Sequence, residues 1–130
     1  MERINISSGA KWENIVGYSR AVRIGNRVVV SGTTSFDPEG NLVGRGDPKA
    51  QTRQILDTIK TALEKAGAEL SDVIRTRIYV VDITHWEEIG RIHGEFFGGI
   101  RPAVTLVGIN RLVDPDMLVE IEVEAVIAEG

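Results

Sequence analysis

The sequence predicts a single α+β domain. Three observations predict it: segments that alternate apolar and polar residues, two helical stripes set between them, and helices too few to cover both faces of a sheet. The chain has 130 residues, 42% of them hydrophobic and 26% charged, which is ordinary globular composition and enough length for a real core. No internal repeat, low-complexity segment or linker-like stretch divides it.

The first clear element is a hairpin. Ala21 to Ile24 and Arg27 to Val30 flank Gly25-Asn26, a pair suited to a two-residue turn. The second arm runs on through Ser31-Gly32 to Phe36, and Asp37-Pro38-Glu39-Gly40-Asn41 supplies turn chemistry. A helix follows, with Asp47 as its cap, Pro48 in its first turn and Gly67 just past its end. Ile55, Ile59, Ala62, Leu63 and Ala66 form its apolar stripe.

Val73 to Val81 then alternates as a strand. The pattern predicts Ile74, Thr76, Ile78 and Val80 on one face, with Arg75, Arg77 and Tyr79 on the other. A second helix is expected from Thr84, where Thr84 and Glu87 have capping-box spacing. Trp86, Ile89, His93 and Phe96 or Phe97 make its stripe, and Gly98-Gly99 ends it. Two strands close the chain, Ala103 to Ile109 and Leu118 to Ile127, joined by a loop from Asn110 to Met117.

In the last strand Val119, Ile121, Val123, Ala125 and Ile127 form one face. Leu118, Glu120, Glu122, Glu124 and Val126 form the other, with Arg75, Arg77 and Tyr79 available opposite. Such a mixed charged and apolar face suits a subunit interface, and it suits a solvated face with cross-strand pairs equally well.

Composition narrows the function classes. Without cysteine there is no disulfide framework, thiolate nucleophile or cysteine metal site. His85 and His93 lie eight residues apart with no zinc-binding spacing, so no metal is expected. A net charge of −4 and scattered Lys and Arg argue against nucleic acid. No apolar run reaches signal-peptide or membrane-span length, so the expectation is a cytoplasmic protein without a membrane partner. No P-loop, GxGxxG or GxSxG motif occurs.

Candidates for chemistry remain. Glu120, Glu122 and Glu124 project together, and a partly covered carboxylate can act as acid or base. His93 interrupts an apolar stripe, which suits a packed core-edge group better than a catalyst. Tyr18, after Gly17, is a candidate pocket lid or a packing residue.

Arg101-Pro102-Ala103-x-Thr105, followed by Leu118-Val119-Glu120-Ile121-Glu122-Val123-Glu124-Ala125, resembles the closing signature of the RidA (YjgF, reactive-intermediate deaminase) family. Gly17-Tyr18, Val30-Ser31-Gly32, Ala50-Gln51, Ala66-Gly67-Ala68 and Asp72-Val73 resemble its earlier segments, so the likeness covers nearly the whole chain.

The resemblance implies a chorismate-mutase-like fold in which two helices cover one face of a mixed sheet. It further implies a homotrimer whose helix-free faces form a central β-barrel, with a small-molecule pocket at each subunit boundary. The best-studied members hydrolyse reactive enamines and imines to a carbonyl compound and ammonia without a cofactor. Carried over by position, Glu120 is the catalytic residue that activates water. Tyr18 closes over the substrate, Ser31 and Gly32 line the pocket, and Thr105 and Leu106 offer backbone contacts.

One departure bears on specificity. Deaminating members carry an arginine that grips the substrate carboxylate at the position of Val104, and valine offers no donor. An asparagine of some members appears as Gly90, with His93 nearby. The implied function is imine or enamine hydrolysis with altered specificity. The alternative is a trimeric binding module that performs no chemistry, and ribonuclease activity, a label attached to some relatives, fits the acidic composition poorly. Whether Arg101, Arg111 or a protonated His93 replaces the missing cation is left open by the sequence.

Overall fold

In the computed structural model, which describes residues 1–128, six strands form one mixed sheet with two long helices packed on one face. The strands are β1 (Arg3–Ile6), β2 (Ala21–Ile24), β3 (Arg27–Thr33), β4 (Val73–Val80), β5 (Ala103–Gly108) and β6 (Val119–Val126). The helices are α1 (Lys11–Val16), α2 (Pro48–Lys65) and α3 (Trp86–Phe97). Across the sheet the order is β1-β2-β3-β6-β4-β5, antiparallel throughout except for the β4–β5 pair. That parallel pair requires a crossover, which α3 supplies.

The expected elements form for the expected reasons. Gly25, at φ 60°, turns the β2–β3 hairpin. The Asp47 carboxylate accepts from Lys49 N and Ala50 N and caps α2 beside Pro48. Gly67, at φ 85°, closes the other end, where Ala68 N reaches Leu63 O at 2.8 Å.

From α2, Ile55, Leu56, Ile59 and Leu63 are fully buried against Val28, Val30, Ile121 and Val123 of the sheet, with Ile89, Ile92 and Phe97 joining from α3. Each such side chain contributes about 2 kcal/mol relative to exposure.

Several boundaries depart from the sequence reading. β1 and α1 lie in a stretch where no element was expected, because β1 is a four-residue edge strand and α1 only six residues long. Ile74 does not join the core face: it is 48% exposed, since the pairing slips between Val73 and Arg75 and Val73 takes the buried place.

The Thr84–Glu87 capping box does not form. Thr84 instead bonds Asp82, which caps a short 3-10 turn over Ile83–His85, and α3 starts at Trp86. Trp86 is exposed and Ile92 replaces it in the stripe. Strand ends shift by a residue: β4 stops at Val80, β5 at Gly108, and β6 runs from Val119 to Val126.

Candidate functional site

The helix-free face resolves the carboxylate ladder of β6 into unequal members. Glu124 pairs with Arg27 at 3.2 Å and Arg77 at 3.6 Å. Glu122 accepts a hydrogen bond from the Tyr79 hydroxyl and lies 3.8 Å from Arg77. Glu120 has neither: its carboxylate takes no hydrogen bond from the described residues. Burial pushes its pKa up, and the Glu122 charge adds to that, while Arg20 pulls the other way without reversing it. Three similar residues thus become two neutralised acids and one free one.

Glu120 reaches β3 where that strand is irregular, between Val30 and Thr33. Its carboxylate lies over Gly32, and glycine is required there because of the close approach rather than a special φ. Ser31 is half-buried, and its hydroxyl donates to Ser19 O at 2.6 Å while its N–H donates to Arg20 O at 2.9 Å. This pair of bonds ties the entry to β2 against β3.

Tyr18 follows Gly17, which ends α1 at φ 86°, so the chain reverses and turns the tyrosine into the cleft. The cleft holds about 710 Å³ and brings Tyr18, Arg20, Ser31, Gly32, Met117 and Glu120 into one wall. Trp12 and Phe36, edge to face at 5.2 Å, line its outer part.

Arg20 is a member the sequence reading missed. It is 6% exposed, and its guanidinium donates to Ser8 Oγ (3.3 Å), Gly32 O (2.7 Å), Thr33 Oγ1 (3.0 Å) and Tyr18 Oη (3.1 Å). Ser8 in turn donates to Glu13, a buried carboxylate that also accepts from Ser7 Oγ, Ser8 N and Ala10 N. Burial alone would raise the Glu13 pKa, but these bonds outweigh it and hold the group below its usual range.

Nothing local marks Arg20 as buried, because it stands among exposed-looking polar residues at a strand entry. Glu13 was readable: an acid shortly after Ser7-Ser8-Gly9 is a serine-turn and helix-start pattern.

Of the residues expected in the site, Glu120, Tyr18, Ser31 and Gly32 come together in this cleft, and the others do not. His93 sits inside α3, its Nε2 2.9 Å from Thr76 Oγ1 and its ring 4.6 Å from Phe97, and burial pushes its pKa down. His93 does not line the cleft.

Val104 stands opposite that same Thr76 and Leu106 opposite Ile78, on the helix-covered side of β5. Thr105 stands opposite Arg77, on the face that carries Glu120. Arg101, at φ 59°, and Arg111 are exposed and do not line the cleft. Gly90 has open space around its Cα. Among the described residues, no three His, Cys, Asp or Glu side chains gather as a metal site, and no helix is long and apolar enough to cross a membrane.

Comparison with known proteins gives a consistent result. The family model described as "Endoribonuclease L-PSP" matches residues 9–127. The chain is similar to Rv2704 of Mycobacterium tuberculosis, a member of the YjgF/YER057c/UK114 family, at 49% identity and TM-score 0.89, covering 97% of this chain and 100% of that one. It is similar to the YjgF gene product of E. coli at 30% identity and TM-score 0.80, covering 94% and 93%. A RutC family protein of Pyrococcus horikoshii is 39% identical over 105 residues, 81% of this chain and 82% of the relative.

Proposed function

The chain belongs to the YjgF (RidA) family, with its chorismate-mutase-like α+β fold, and from that premise we propose that it hydrolyses small imines or enamines to a carbonyl compound and ammonia without a cofactor. The observation that carries this reading is the state of Glu120. Among the described residues it is the one carboxylate of the β6 ladder with no hydrogen bond or ion pair, and it opens onto the cleft with a raised pKa. A carboxyl group placed in this way can both take and return a proton.

The reaction asks little more. A protonated imine is already electrophilic at carbon. Water attacks that carbon and gives a proton to the Glu120 carboxylate. Glu120 returns that proton to the nitrogen and then takes the hydroxyl proton as the C–N bond breaks and the carbonyl forms, and the departing ammonia carries that proton away as ammonium. An enamine first takes a proton on carbon from the protonated form of Glu120, which yields the same imine. Tyr18 covers the bound molecule, and the Gly32 backbone leaves room for the carboxylate to swing toward it.

Members of the family are typically homotrimers. A trimer would give the divided set of expected residues a common site. Tyr18, Ser31, Gly32 and Glu120 line one chain's cleft, while Val104 to Leu106 lie on the far edge strand, so the β5 of a neighbouring copy would have to complete the set. The exposed Val29 and Val107 beside the Arg77–Glu122–Glu124 pairs support burial of the helix-free face between copies.

Val104 favours a second reading, a binding module of the same trimeric form that performs no chemistry. The family model's ribonuclease description finds less support, since the cleft mixes Lys11, Arg20 and Lys65 with Asp37, Glu39, Asp57 and Glu120, and neither histidine reaches it.

Ammonia release from freshly generated imines separates the readings. Hydrolysis predicts acceleration by the wild-type protein and its loss in Glu120→Gln. No acceleration on any imine, with ligand binding unaffected by Glu120→Gln, leaves the binding module.

A further inference from the structure

Neither Arg101, Arg111 nor His93, the groups weighed as stand-ins for an arginine at position 104, lines the cleft, and its one buried cation comes from a different element. Arg20 is nine-tenths buried, and all four of its hydrogen bonds go to neutral acceptors. It makes no ion pair within 4.0 Å among the described residues. The nearest acid on one side, Glu13, is reached only through Ser8 Oγ, and its oxygens are occupied by Ser7, Ser8 and Ala10. On the other side Glu120 feels the Arg20 charge without bonding to it.

A guanidinium carries five N–H donors in a fixed fork. Four are used here: one from Nε, two from Nη1 and one from Nη2. The fifth belongs to Nη2, the nitrogen already bonded to the Tyr18 hydroxyl. Tyr18 accepts that bond and keeps its own O–H to donate. Two unused donors therefore sit on atoms 3.1 Å apart, both on residues that line the cleft. The Tyr18 ring, 5.4 Å from the Arg20 guanidinium carbon, packs against the cation and fixes the plane of the fork.

We propose that Arg20 is the specificity-determining residue of this cleft, binding the anionic group of a small carboxylic acid together with the Tyr18 hydroxyl. This rests on the reading that the cleft is the ligand site, and it restores from β2's entry the anion-binding capacity that Val104 lacks. A carboxylate is the fitting partner because its two oxygens accept parallel donors from a fork and an adjacent hydroxyl. A buried, water-excluded cation discriminates strongly for an anion over an uncharged isostere.

The test compares 2-oxobutanoate with 2-oxobutanamide by calorimetric titration of the wild-type protein at fixed ionic strength, and repeats the pair on Arg20→Gln and Arg20→Lys. The inference expects the acid to bind at least about tenfold more tightly than the amide, the preference to vanish in Arg20→Gln and to survive in part in Arg20→Lys. Removing a buried arginine strands four acceptors, so circular dichroism first establishes that each variant is folded. The wild-type comparison decides even if Arg20→Gln is not.

Equal binding of acid and amide, failure of the acid to bind, or an unchanged preference in folded Arg20→Gln overturns the inference. Acid preference without ammonia release from any imine would end the hydrolase reading and leave Arg20 standing. Ammonia release from neutral imines without acid preference would do the reverse.

Discussion

A methyl group built on the Cα of Gly32 would lie 2.1 Å from Glu120 Oε2, far inside contact distance. Gly32→Ala must therefore displace the carboxylate. The displaced atoms are the end of a flexible side chain, so the fold is expected to lose only about 1 kcal/mol. Activity is expected to fall by roughly tenfold to a hundredfold, because the proton-transfer group has moved. Ammonia-release rates and a thermal melt measure both effects. Wild-type activity in a folded Gly32→Ala would mean that the carboxylate is not needed where it sits.

The second expectation concerns Glu120 and pH. Burial raises its pKa above the ordinary glutamate range. A carboxyl group with a raised folded-state pKa favours folding in its protonated form, so that contribution is complete below the unfolded value and is lost as pH rises through the folded one. Glu120→Gln removes this penalty. The variant should melt above the wild type at pH 7 to 8, and the difference should close as pH falls below about 4.5. A variant less stable than the wild type at neutral pH would contradict the assigned state of the carboxylate.

The sequence carried the fold well where one residue pattern decides one element. Asp47-Pro48 and Gly67 bound α2 as read, and Gly25-Asn26 turns the hairpin, because caps and turns depend on neighbours along the chain. It carried the bulge at Ile74 and the start of α3 poorly. In the first case one extra residue in a paired strand reverses the alternation. In the second, Asp82 competes for Thr84 and wins.

The site was legible by halves for a similar reason. Glu120 and Gly32 stand in recognisable motifs. The feature that sets Glu120 apart from Glu122 and Glu124 is the presence of cross-strand cations at the latter two, and that needs the register. Arg20 needs more, since its burial depends on Ser8 and the Gly32–Thr33 end of β3 folding around it from two separate segments.

The third expectation is assembly. Val107 stands opposite Tyr79 on the helix-free face, 39% exposed in the isolated chain. Light scattering should report three times the 14.2 kDa chain mass. Val107→Asp would set a carboxylate on the face that the trimer reading buries between copies, where an unpaired charge is poorly tolerated, and should shift the mass toward that of single chains. A folded monomer for the unaltered protein at micromolar concentration would remove the shared pocket.

The last expectation concerns the segment that holds Arg20 in place. Glu13 accepts four hydrogen bonds, from Ser7 Oγ (2.9 Å), Ser8 N (3.0 Å), Ser8 Oγ (2.7 Å) and Ala10 N (3.2 Å). Glutamine in its place offers one acceptor oxygen and no charge, so Glu13→Gln should cost about 1–3 kcal/mol at neutral pH. Burial opposes the charged form of Glu13, but its bonds lower the pKa below 4.5. The sign follows directly: a depressed carboxyl pKa contributes stability that is present above the unfolded value and lost as pH falls through the folded one.

Urea unfolding should therefore separate wild type from Glu13→Gln at pH 7 and bring them together toward pH 2 to 3. Because Ser8 Oγ links Glu13 to Arg20, the same variant should also weaken 2-oxobutanoate binding more than 2-oxobutanamide binding. A stability gap that stays constant from pH 7 down to acid would show that the Glu13 charge does not fasten this segment.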